Sequence, residues 1–575
     1  MYLRSTKRVN KDGSTVRYLS LAHNVKVAGV SQAKVLLNLG REDQLDQDGL
    51  RRLVSSLSRY LGDPDPYADP DADPVAGLTV TSSRSLGGVH LLDGLWRQLG
   101  IDRALREVLG ERHFTTDVER VLFALVANRA LDPASKRAAA DWAVHDVAIH
   151  GLESMSDDQA YRAMDLLIEA DTSAQVQEAV FFAVANLLNL DVDVILFDTT
   201  STYFEADPDV AEDGTPGFRR WGHSKDHRPD LPQIIIGLAV TKEGIPVRVW
   251  CWPGNASDTT VLPEVRDGMR DWNLGRVITV VDRGFSSHAN LDYLRKGGGQ
   301  WIAGMKMRDK SADAAKVLSR PGRYTDVNDH LRVKEVSMET ATPGVRWVVC
   351  HNKAEAAKDA KTRQDGLDYL TGELERIAAA RTRTSTALKA ATTEKAKTRL
   401  EADLAGHTRT ECALRDHVTL GRWLRQTGTG RLVIDTKAVA AEAKLDGKYL
   451  LSTSDAHLSP AEIATGYKNL LKAERGFRDM KTGLLLRPVF HRLEPRIKAH
   501  VLICWLALLL TRVAEEHTGD TWASISTHMS RLSAVTLTST AGTVVQSTEP
   551  TDKQRALLAA CKIPPPARIT TLNPL

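Results

Sequence analysis

The sequence predicts an α/β protein: a mixed sheet flanked by helices, interrupted by a long insertion and preceded by a helical N-terminal region. Two apolar, strand-like runs each end in an aspartate, Asp198 and Asp282, and a third carboxylate, Glu474, lies far downstream in a helical pattern. Active sites of α/β sheets gather at the carboxyl ends of strands. We therefore expect the two aspartates to lie side by side, with Glu474 on a helix packed across the sheet.

The elements of the first part of this core, residues 191–310, follow in a regular order. The Asp198 strand precedes a hairpin, in which Thr241–Gly244 supplies the turn between two apolar runs. A helix with Ser257 or Asp258 as its N-cap comes next. The Asp282 strand, a second helix and a last strand complete the series; beyond the Asp198 strand the predicted elements span 233–240, 245–252, 258–272, 276–282, 286–296 and 301–307.

Residues 1–61 are predicted to form a basic N-terminal arm. Eight Lys and Arg residues face Asp12 alone between residues 1 and 41, which suits contacts with phosphate. A short strand pair is predicted at 15–21 and 26–30, with a helix at 46–61. Residues 62–85 form an acidic, Pro-rich linker that cannot pack a core.

Residues 86–190 are predicted to be helical throughout. Short helices joined by turns are typical of a DNA-binding helix-turn-helix element, but they are equally typical of a helical bundle without DNA contact, and both interpretations stay open. The six predicted helices span 89–99, 101–109, 117–131, 135–142, 157–169 and 172–188.

The insertion is predicted at residues 311–450. Its middle is rich in Ala, Glu, Lys, Arg and Thr, which predicts a long helical hairpin or a short coiled coil between strands near 345–350 and 431–434. Residues 451–515 return to the core with a strand that leads toward the Glu474 helix. Residues 516–575 are predicted to be a C-terminal tail.

Composition narrows the class of protein. At 575 residues with 42% hydrophobic content, several domains with their own cores are expected. The five cysteines form no Cys-x-x-Cys pair, which favours a reducing compartment. The longest apolar run, residues 501–510, is too short for a bilayer, and no signal peptide is visible, so no membrane partner is expected. His223 and His227 lie among Gly and Pro residues, which argues against a metal-binding pair.

Three converging carboxylates need a counter-charge, since like charges about 4 Å apart repel by roughly 4 kcal/mol at an effective dielectric near 20. Oxygen ligands suit Mg²⁺ or Mn²⁺, and two such ions can clamp an in-line displacement at phosphorus. A single Asp after an apolar run can also be an ordinary strand stopper. The helix favours a site: Tyr467, Glu474 and Lys481 are spaced by seven residues on one face, with Arg478 close to it.

These motifs resemble the DDE transposases of bacterial insertion sequences, in the group that carries a Tyr-x2-Arg-x3-Glu-x6-Lys signature. Asp282-Arg283-Gly284-Phe285 matches the family's second block, and Gly254-Asn255-Ala256-Ser257-Asp258 resembles the stretch upstream of it. Asp198-Thr199-Thr200 fits the first block. Leu470 stands where the signature has Arg, and Arg478 or Arg475 is the candidate to supply that charge.

The resemblance implies an RNase H-like catalytic core that binds two Mg²⁺ (or Mn²⁺) ions through Asp198, Asp282 and Glu474. It implies an enzyme that cuts double-stranded DNA at element ends and joins the ends to target DNA, as a homodimer or higher oligomer in the bacterial cytoplasm at the nucleoid. The residues expected to contact DNA are Tyr467, Arg478, Lys481, Arg475 and Arg283. The alternatives are an RNase H-like nuclease without strand transfer and a non-catalytic DNA-binding derivative. Retention of all three carboxylates argues against the second.

Overall fold

A computed structural model describes most of the chain as two compact units. One unit comprises Met1–Val80, Leu537–Thr543 and Pro574–Leu575, and the other comprises Thr81–Thr536 and Val544–Asn573. Residues 68–76, nine of the 24 residues of the predicted linker, lie outside the described residues, and the last part of that segment, Thr79–Ser85, is a strand. The described residues are 1–27, 30–67, 77–109, 117–170, 175–188, 190, 193–210, 214–270, 272, 277–308, 312–337, 344–539 and 541–574.

The N-terminal arm folds as a three-stranded antiparallel meander followed by a helix. Its elements are β1 (Tyr2–Val9), β2 (Thr15–Val27), β3 (Val30–Arg41) and α1 (Gln47–Leu61). The predicted helix is confirmed: the Asp46 side chain caps it by accepting from the Gly49 amide, and Gly62 ends it with a φ of 76°. The predicted short strand pair is wrong, because residues 26–30 include the end of β2 and the start of β3.

All six helices predicted before the core are confirmed. Capping explains several starts, since the Asp117 and Ser135 side chains accept from backbone amides in the first turn. The start of the last predicted helix, 172–174, lies outside the described residues. A strand, β4 (Thr79–Ser85), precedes the helices, which are α2 (Gly87–Gln98), α3 (Ile101–Leu109), α4 (Val118–Leu131), α5 (Lys136–His145), α6 (Asp157–Ala170) and α7 (Gln175–Leu188).

The predicted order of the core elements is confirmed. Its strands β5 to β9 are arranged β7-β6-β5-β8-β9; β5, β6 and β7 are antiparallel, whereas β5, β8 and β9 are parallel. Because these strands are apolar and buried, helices must cover the faces of the sheet. The elements are β5 (Val194–Tyr203), β6 (Gln233–Thr241), β7 (Pro246–Pro253), α8 (Asp258–Arg270), β8 (Ile278–Val281), α9 (His288–Arg295) and β9 (Gln300–Met305).

The predicted insertion contributes strands to the same sheet. Its helical hairpin is present as α11 and α12, and four strands, β10, β11, β12 and β15, extend the sheet to nine in the order β10-β11-β12-β15-β9-β8-β5-β6-β7. The elements are α10 (Ala312–Ser319), β10 (Thr325–Asp326), β11 (Leu331–Val336), β12 (Arg346–Asn352), α11 (Lys353–Ala390), α12 (Glu394–Arg415), β13 (Leu424–Gln426), β14 (Leu432–Ile434), α13 (Thr436–Ala443) and β15 (Lys448–Thr453).

The helix expected to carry both Tyr467 and Lys481 is two helices. A turn at Asn469 and Leu470 separates α14 (Pro460–Lys468) from α15 (Leu471–Thr482). The prediction of one continuous stripe of residues spaced by seven is therefore wrong.

A long apolar helix, α16 (Glu494–Thr518), follows. It is long and apolar enough to cross a membrane, but 94% of its most apolar window is buried inside the protein. It packs against α4 and α6 as a core helix.

The predicted C-terminal tail is folded. It contains two helices and three strands, and its strands join β4 in a sheet of order β18-β17-β16-β4. Apolar side chains of this region, such as Leu532, Leu558 and Ile563, are buried. The elements are α17 (Trp522–Met529), β16 (Ser533–Ser539), β17 (Gly542–Ser547), α18 (Asp552–Ala560) and β18 (Ile569–Pro574).

Candidate active site

The two predicted aspartates lie at neighbouring positions of the sheet. Strands β5 and β8 are parallel, and Phe197 pairs with Val281, so Asp198 and Asp282 are the next residues along adjacent strands. Asp282 follows the end of β8 and precedes a 3₁₀ turn. Asp198 does not end its strand, contrary to the prediction, because β5 continues to Tyr203 in register with β6.

The positive charge around the Asp198 carboxyl group does not offset its burial. Its pKa is raised to about 7, chiefly by burial and to a smaller extent by the negative charges of Asp282 and Asp258. The Lys225 ammonium group and a hydrogen bond from the Thr199 amide, 2.7 Å long, act in the opposite direction. A bound cation would stabilise the charged form of Asp198.

Asp258 and Lys225 form a polar cluster behind Asp198 on β5. The Thr199 hydroxyl donates to Asp258 Oδ1 over 2.5 Å, and Lys225 Nζ donates to Thr199 Oγ1 over 2.6 Å and lies 3.3 Å from Asp258. Gly284 makes room for this cluster, since a Cβ there would lie 2.7 Å from Asp258 Oδ2. The glycine of the Asp-Arg-Gly-Phe block thus allows the close approach of Asp258, which ends the Gly-Asn-Ala-Ser-Asp stretch.

Tyr467 is bonded to the second aspartate. Its hydroxyl donates to Asp282 Oδ1 over 2.6 Å. Burial and the neighbouring Asp282 charge raise the pKa of Tyr467, so the phenol stays protonated and acts as a donor. Gly304 on β9 leaves the space, because a Cβ there would lie 2.3 Å from the Tyr467 hydroxyl oxygen.

Glu474 shares a cavity with Asp282 and Tyr467. The cavity has a volume of about 380 Å³, and Glu474 is an exposed residue on α15, the helix that packs across β5 and β6. Asp198 is not among the residues that line this cavity. Across the described part of the chain, no three acidic, His or Cys residues are close enough to form a ready-made metal site. Asp198 therefore neighbours Asp282 along the sheet, and Asp282 shares a cavity with Glu474, but the three carboxylates do not converge on one point.

The cations predicted on α15 are placed differently from one another. Lys481 is buried, and its Nζ lies 2.7 Å from both Thr200 Oγ1 and Asp226 Oδ1. Arg475 forms ion pairs with Glu515 and Asp479. Arg478 is 69% exposed, and the carboxylate of Asp479 lies 3.9 Å away.

Leu470, at the signature's Arg position, is an apolar core residue that is 5% exposed. Arg283 is exposed and lines a second cavity of about 590 Å³ with Asp282, Tyr467 and the basic residues Lys306, Arg308 and Lys448. This cavity provides a basic surface next to the second aspartate.

Three polar residues near Asp198 were not predicted as site residues. Lys225 and Asp226 lie in the segment between β5 and β6, and Asp258 begins α8. The sequence held a signal for Asp258, since it ends the Gly-Asn-Ala-Ser-Asp stretch. Lys225 and Asp226 lie between His223 and His227, which we considered only as a candidate pair of metal ligands.

The mixed sheet places two aspartates side by side, and the helix packed across it carries a glutamate. A comparison of the sequence with known protein families agrees with this arrangement. Residues 190–510, more than half of the chain, match the family described as "Transposase DDE domain". The chain is therefore a member of the DDE transposases. Residues 3–70 match "IS1634 family transposase, N-terminal domain", which places it among the transposases of insertion sequences.

Comparisons with solved structures and with curated proteins add less to the family assignment. A solved structure titled "Cryo-EM structure of piggyBac transposase synaptic complex with hairpin DNA" is similar to 77% of this chain over 79% of its own length, with 10% sequence identity and a TM-score of 0.34. A TM-score of this size does not establish a shared fold. No curated protein matches the sequence.

Proposed function

We propose that this transposase cuts phosphodiester bonds at the ends of a mobile DNA element and joins the freed 3′-hydroxyl ends to target DNA. The observation that carries the proposal is the placement of Asp198 and Asp282 on adjacent parallel strands, with Glu474 facing the second of them. The strand order β7-β6-β5-β8-β9, three antiparallel strands followed by two parallel ones, supports an RNase H-like core.

The oxygen ligands fit Mg²⁺ or Mn²⁺. Asp198 would hold one ion together with Asp282, and Glu474 would complete a second site with Asp282. When bound, the two cations neutralise the charge that develops at phosphorus during an in-line displacement. The raised pKa of Asp198 supports this assignment, because a buried carboxylate without enough positive charge around it is suited to a divalent cation.

The remaining residues position these ligands and the DNA. The Tyr467 hydroxyl donates to Oδ1 of Asp282 and fixes the orientation of that carboxylate. This role differs from the predicted contact of Tyr467 with the DNA backbone. Arg283 and Arg478 are exposed and can approach phosphates. We also propose that two subunits act together at two element ends in the bacterial cytoplasm, because joining both ends requires both to be held at once.

A cleavage assay tests the function. Duplexes taken from the DNA that flanks the coding sequence, labelled at one end, are incubated with the protein in Mg²⁺ or EDTA. We expect Mg²⁺-dependent nicks at the element ends and, with added plasmid, joined products. Cleavage without joining would indicate a nuclease. Binding without Mg²⁺-dependent cleavage would indicate a non-catalytic DNA-binding protein and would refute the proposal.

We expect Gly304→Ala to slow cleavage by displacing Tyr467 from Asp282. The added Cβ would collide with the Tyr467 hydroxyl at 2.3 Å, so the hydrogen bond to Asp282 would be lost. Tyr467→Phe removes the same bond and keeps the ring. Because a hydrogen bond to a charged carboxylate contributes about 1.5 to 3 kcal/mol, both variants should lose roughly ten- to a hundredfold in single-turnover rate. Gly428→Ala, at a glycine with open space around it, is the matched control.

The charge of the N-terminal meander should appear in the salt dependence of DNA binding. Lys7 and Arg17 are cross-strand partners on β1 and β2. If both contact phosphates, the double change Lys7→Gln and Arg17→Gln should reduce the slope of log affinity against log salt by up to about 1.8. Titrations with end DNA and with scrambled DNA should show the same reduction, since phosphate contacts carry no sequence information. An unchanged slope would mean that these charges are only solvated.

A further inference from the structure

The Arg position of the family signature holds Leu470, so the charge that belongs there must come from elsewhere if the site has it. Neither predicted substitute is well placed. Arg475 is engaged by Glu515 and Asp479, and Arg478 points out far enough to be 69% exposed. Leu470 itself is buried in the apolar core between α14 and α15. None of the three places a cation beside β5.

A different arginine is held beside β5 by an acidic residue. Asp226 Oδ1 lies 2.7 Å from Lys481 Nζ and 3.0 Å from Arg487 Nη1, so one carboxylate oxygen holds two cations. The Asp226 side chain is only 8% exposed, and its Oδ2 is buried without a hydrogen-bond partner among the described residues. The three groups together carry one net positive charge. Burying such a cluster costs free energy, which argues that it serves a purpose beyond stability.

Lys481, one member of this cluster, meets β5 on the same face as Asp198. Lys481 Nζ also donates to Thr200 Oγ1 over 2.7 Å, and Thr200 follows Asp198 by two residues. Side chains two apart on a strand point to the same face, with their Cα atoms about 7 Å apart. The pairing of β5 with β6 is regular over this stretch, so no bulge changes that alternation.

Arg487 is the member of the cluster that can reach a ligand. Its side chain is 31% exposed, whereas those of Lys481 and Asp226 are 10% and 8% exposed. Its guanidinium group lies over the Tyr203 ring at 5.7 Å from the ring centre. An arginine fixed by a carboxylate on one edge and an aromatic ring on its face keeps further N–H donors for a phosphate.

We propose that Arg487, held in place by Asp226 and Tyr203, binds a backbone phosphate of the DNA strand at or next to the cleaved bond and replaces the cation missing at Leu470. Lys481 anchors Asp226 to β5 instead of meeting DNA itself. The proposal rests on the proposed function for the identity of the ligand, a DNA phosphate.

The first test measures binding in EDTA, where no cleavage takes place. Duplexes of the element end carry an uncharged methylphosphonate at one position at a time. For the unmodified protein, the substitution at one phosphate should weaken binding severalfold; for Arg487→Ala that position should no longer matter. Arg487→Ala should also reduce the salt slope by about 0.9. Arg492→Ala, an exposed arginine on the same loop, is the matched control and should keep both the slope and the position effect.

The second test separates positioning from folding. Asp226→Asn keeps the shape but removes the negative charge, so DNA affinity should hold or rise while single-turnover cleavage falls by about 10²-fold. A merely structural role would lower both. Arg487→Lys should recover only part of the Arg487→Ala loss, because an ammonium group cannot present two parallel donors. Melting curves of each variant confirm that it is folded.

Several outcomes overturn the proposal: an unchanged slope for Arg487→Ala, an equal loss for Arg492→Ala, or a contacted phosphate far from the cleaved bond. The binding readings need no catalysis. If the protein never cleaves or joins DNA, the proposed function fails while the phosphate contact of Arg487 is still measured. If cleavage occurs but Arg487→Ala behaves as the unmodified protein, only this inference fails.

Discussion

We expect Asp198→Asn, Asp282→Asn and Glu474→Gln each to reduce Mg²⁺-dependent DNA cleavage by at least about 10³-fold, while DNA binding in EDTA stays within a few fold. Each change keeps the size of the side chain and removes one charged oxygen ligand. Asp282 has the largest expected effect of the three, because it neighbours Asp198 along the sheet and faces Glu474 across the cavity. Losing it would disturb both proposed ion sites at once.

The matched control is Glu516→Gln on α16, an exposed glutamate outside the cavity shared by Asp282 and Glu474, which should cleave normally. Double variants should be hardly worse than single ones, because residues that act as a unit are strongly non-additive. If any carboxylate variant loses cleavage and folded protein together, that residue is structural. If Glu474→Gln alone keeps cleavage, Glu474 is not needed for it. Asp198 and Asp282 then suffice.

The core was predictable because its signals are local. Each strand of the series from β5 to β9 is an apolar run bounded by turn residues, and the hairpin turn and the helix caps could be read from short stretches. Among the six helices before the core, two begin directly after residues of the N-cap type, Asp117 and Ser135, whose side chains accept from amides of the first turn.

Elements whose stability comes from distant parts of the chain were not predictable. The strands β10 and β11 join the sheet only through β12 and β15, and β15 follows them by about a hundred residues. Of the C-terminal strands, β16 pairs with β4, which lies more than 400 residues earlier. In the N-terminal meander, most strand residues are exposed, so the alternation of apolar and polar residues that marks a half-buried strand is weak.

The sequence singles out the three candidate carboxylates but not the residues that surround them. Asp198, Asp282 and Glu474 stand in motifs, whereas Lys225, Asp226 and Arg487 acquire their meaning only when folding brings three separate segments to β5. The break at Asn469 could not be foreseen, since neither Asn469 nor Leu470 is a strong helix breaker. On α15, Lys481 donates to Thr200, and Glu474 lines the cavity that Tyr467 of α14 also lines.

We expect Asp198→Asn to stabilise the metal-free protein above neutral pH. The pKa of Asp198 is raised from 3.8 to about 7 in the folded chain, chiefly by burial. The folded state therefore favours the protonated form. Between about pH 4 and 7 the unfolded chain releases this proton while the folded chain keeps it, so the stability of the unmodified protein falls as pH rises and stays low above pH 7. The total difference is at most about 4 kcal/mol, and asparagine does not titrate.

Melting temperatures of both proteins in EDTA at several pH values measure this effect. The variant should gain over the unmodified protein steadily from about pH 4 to 7, with a constant advantage at pH 8. Adding Mg²⁺ at pH 8 should reverse the order, because ion binding stabilises only the protein that keeps its ligand. Asp313→Asn, on α10, should show neither trend. A difference in melting temperature that does not change with pH would contradict the buried charge at Asp198, and no response to Mg²⁺ would contradict its role as a ligand. Together the two readings separate the cost of holding this carboxylate in the fold from the function that it serves.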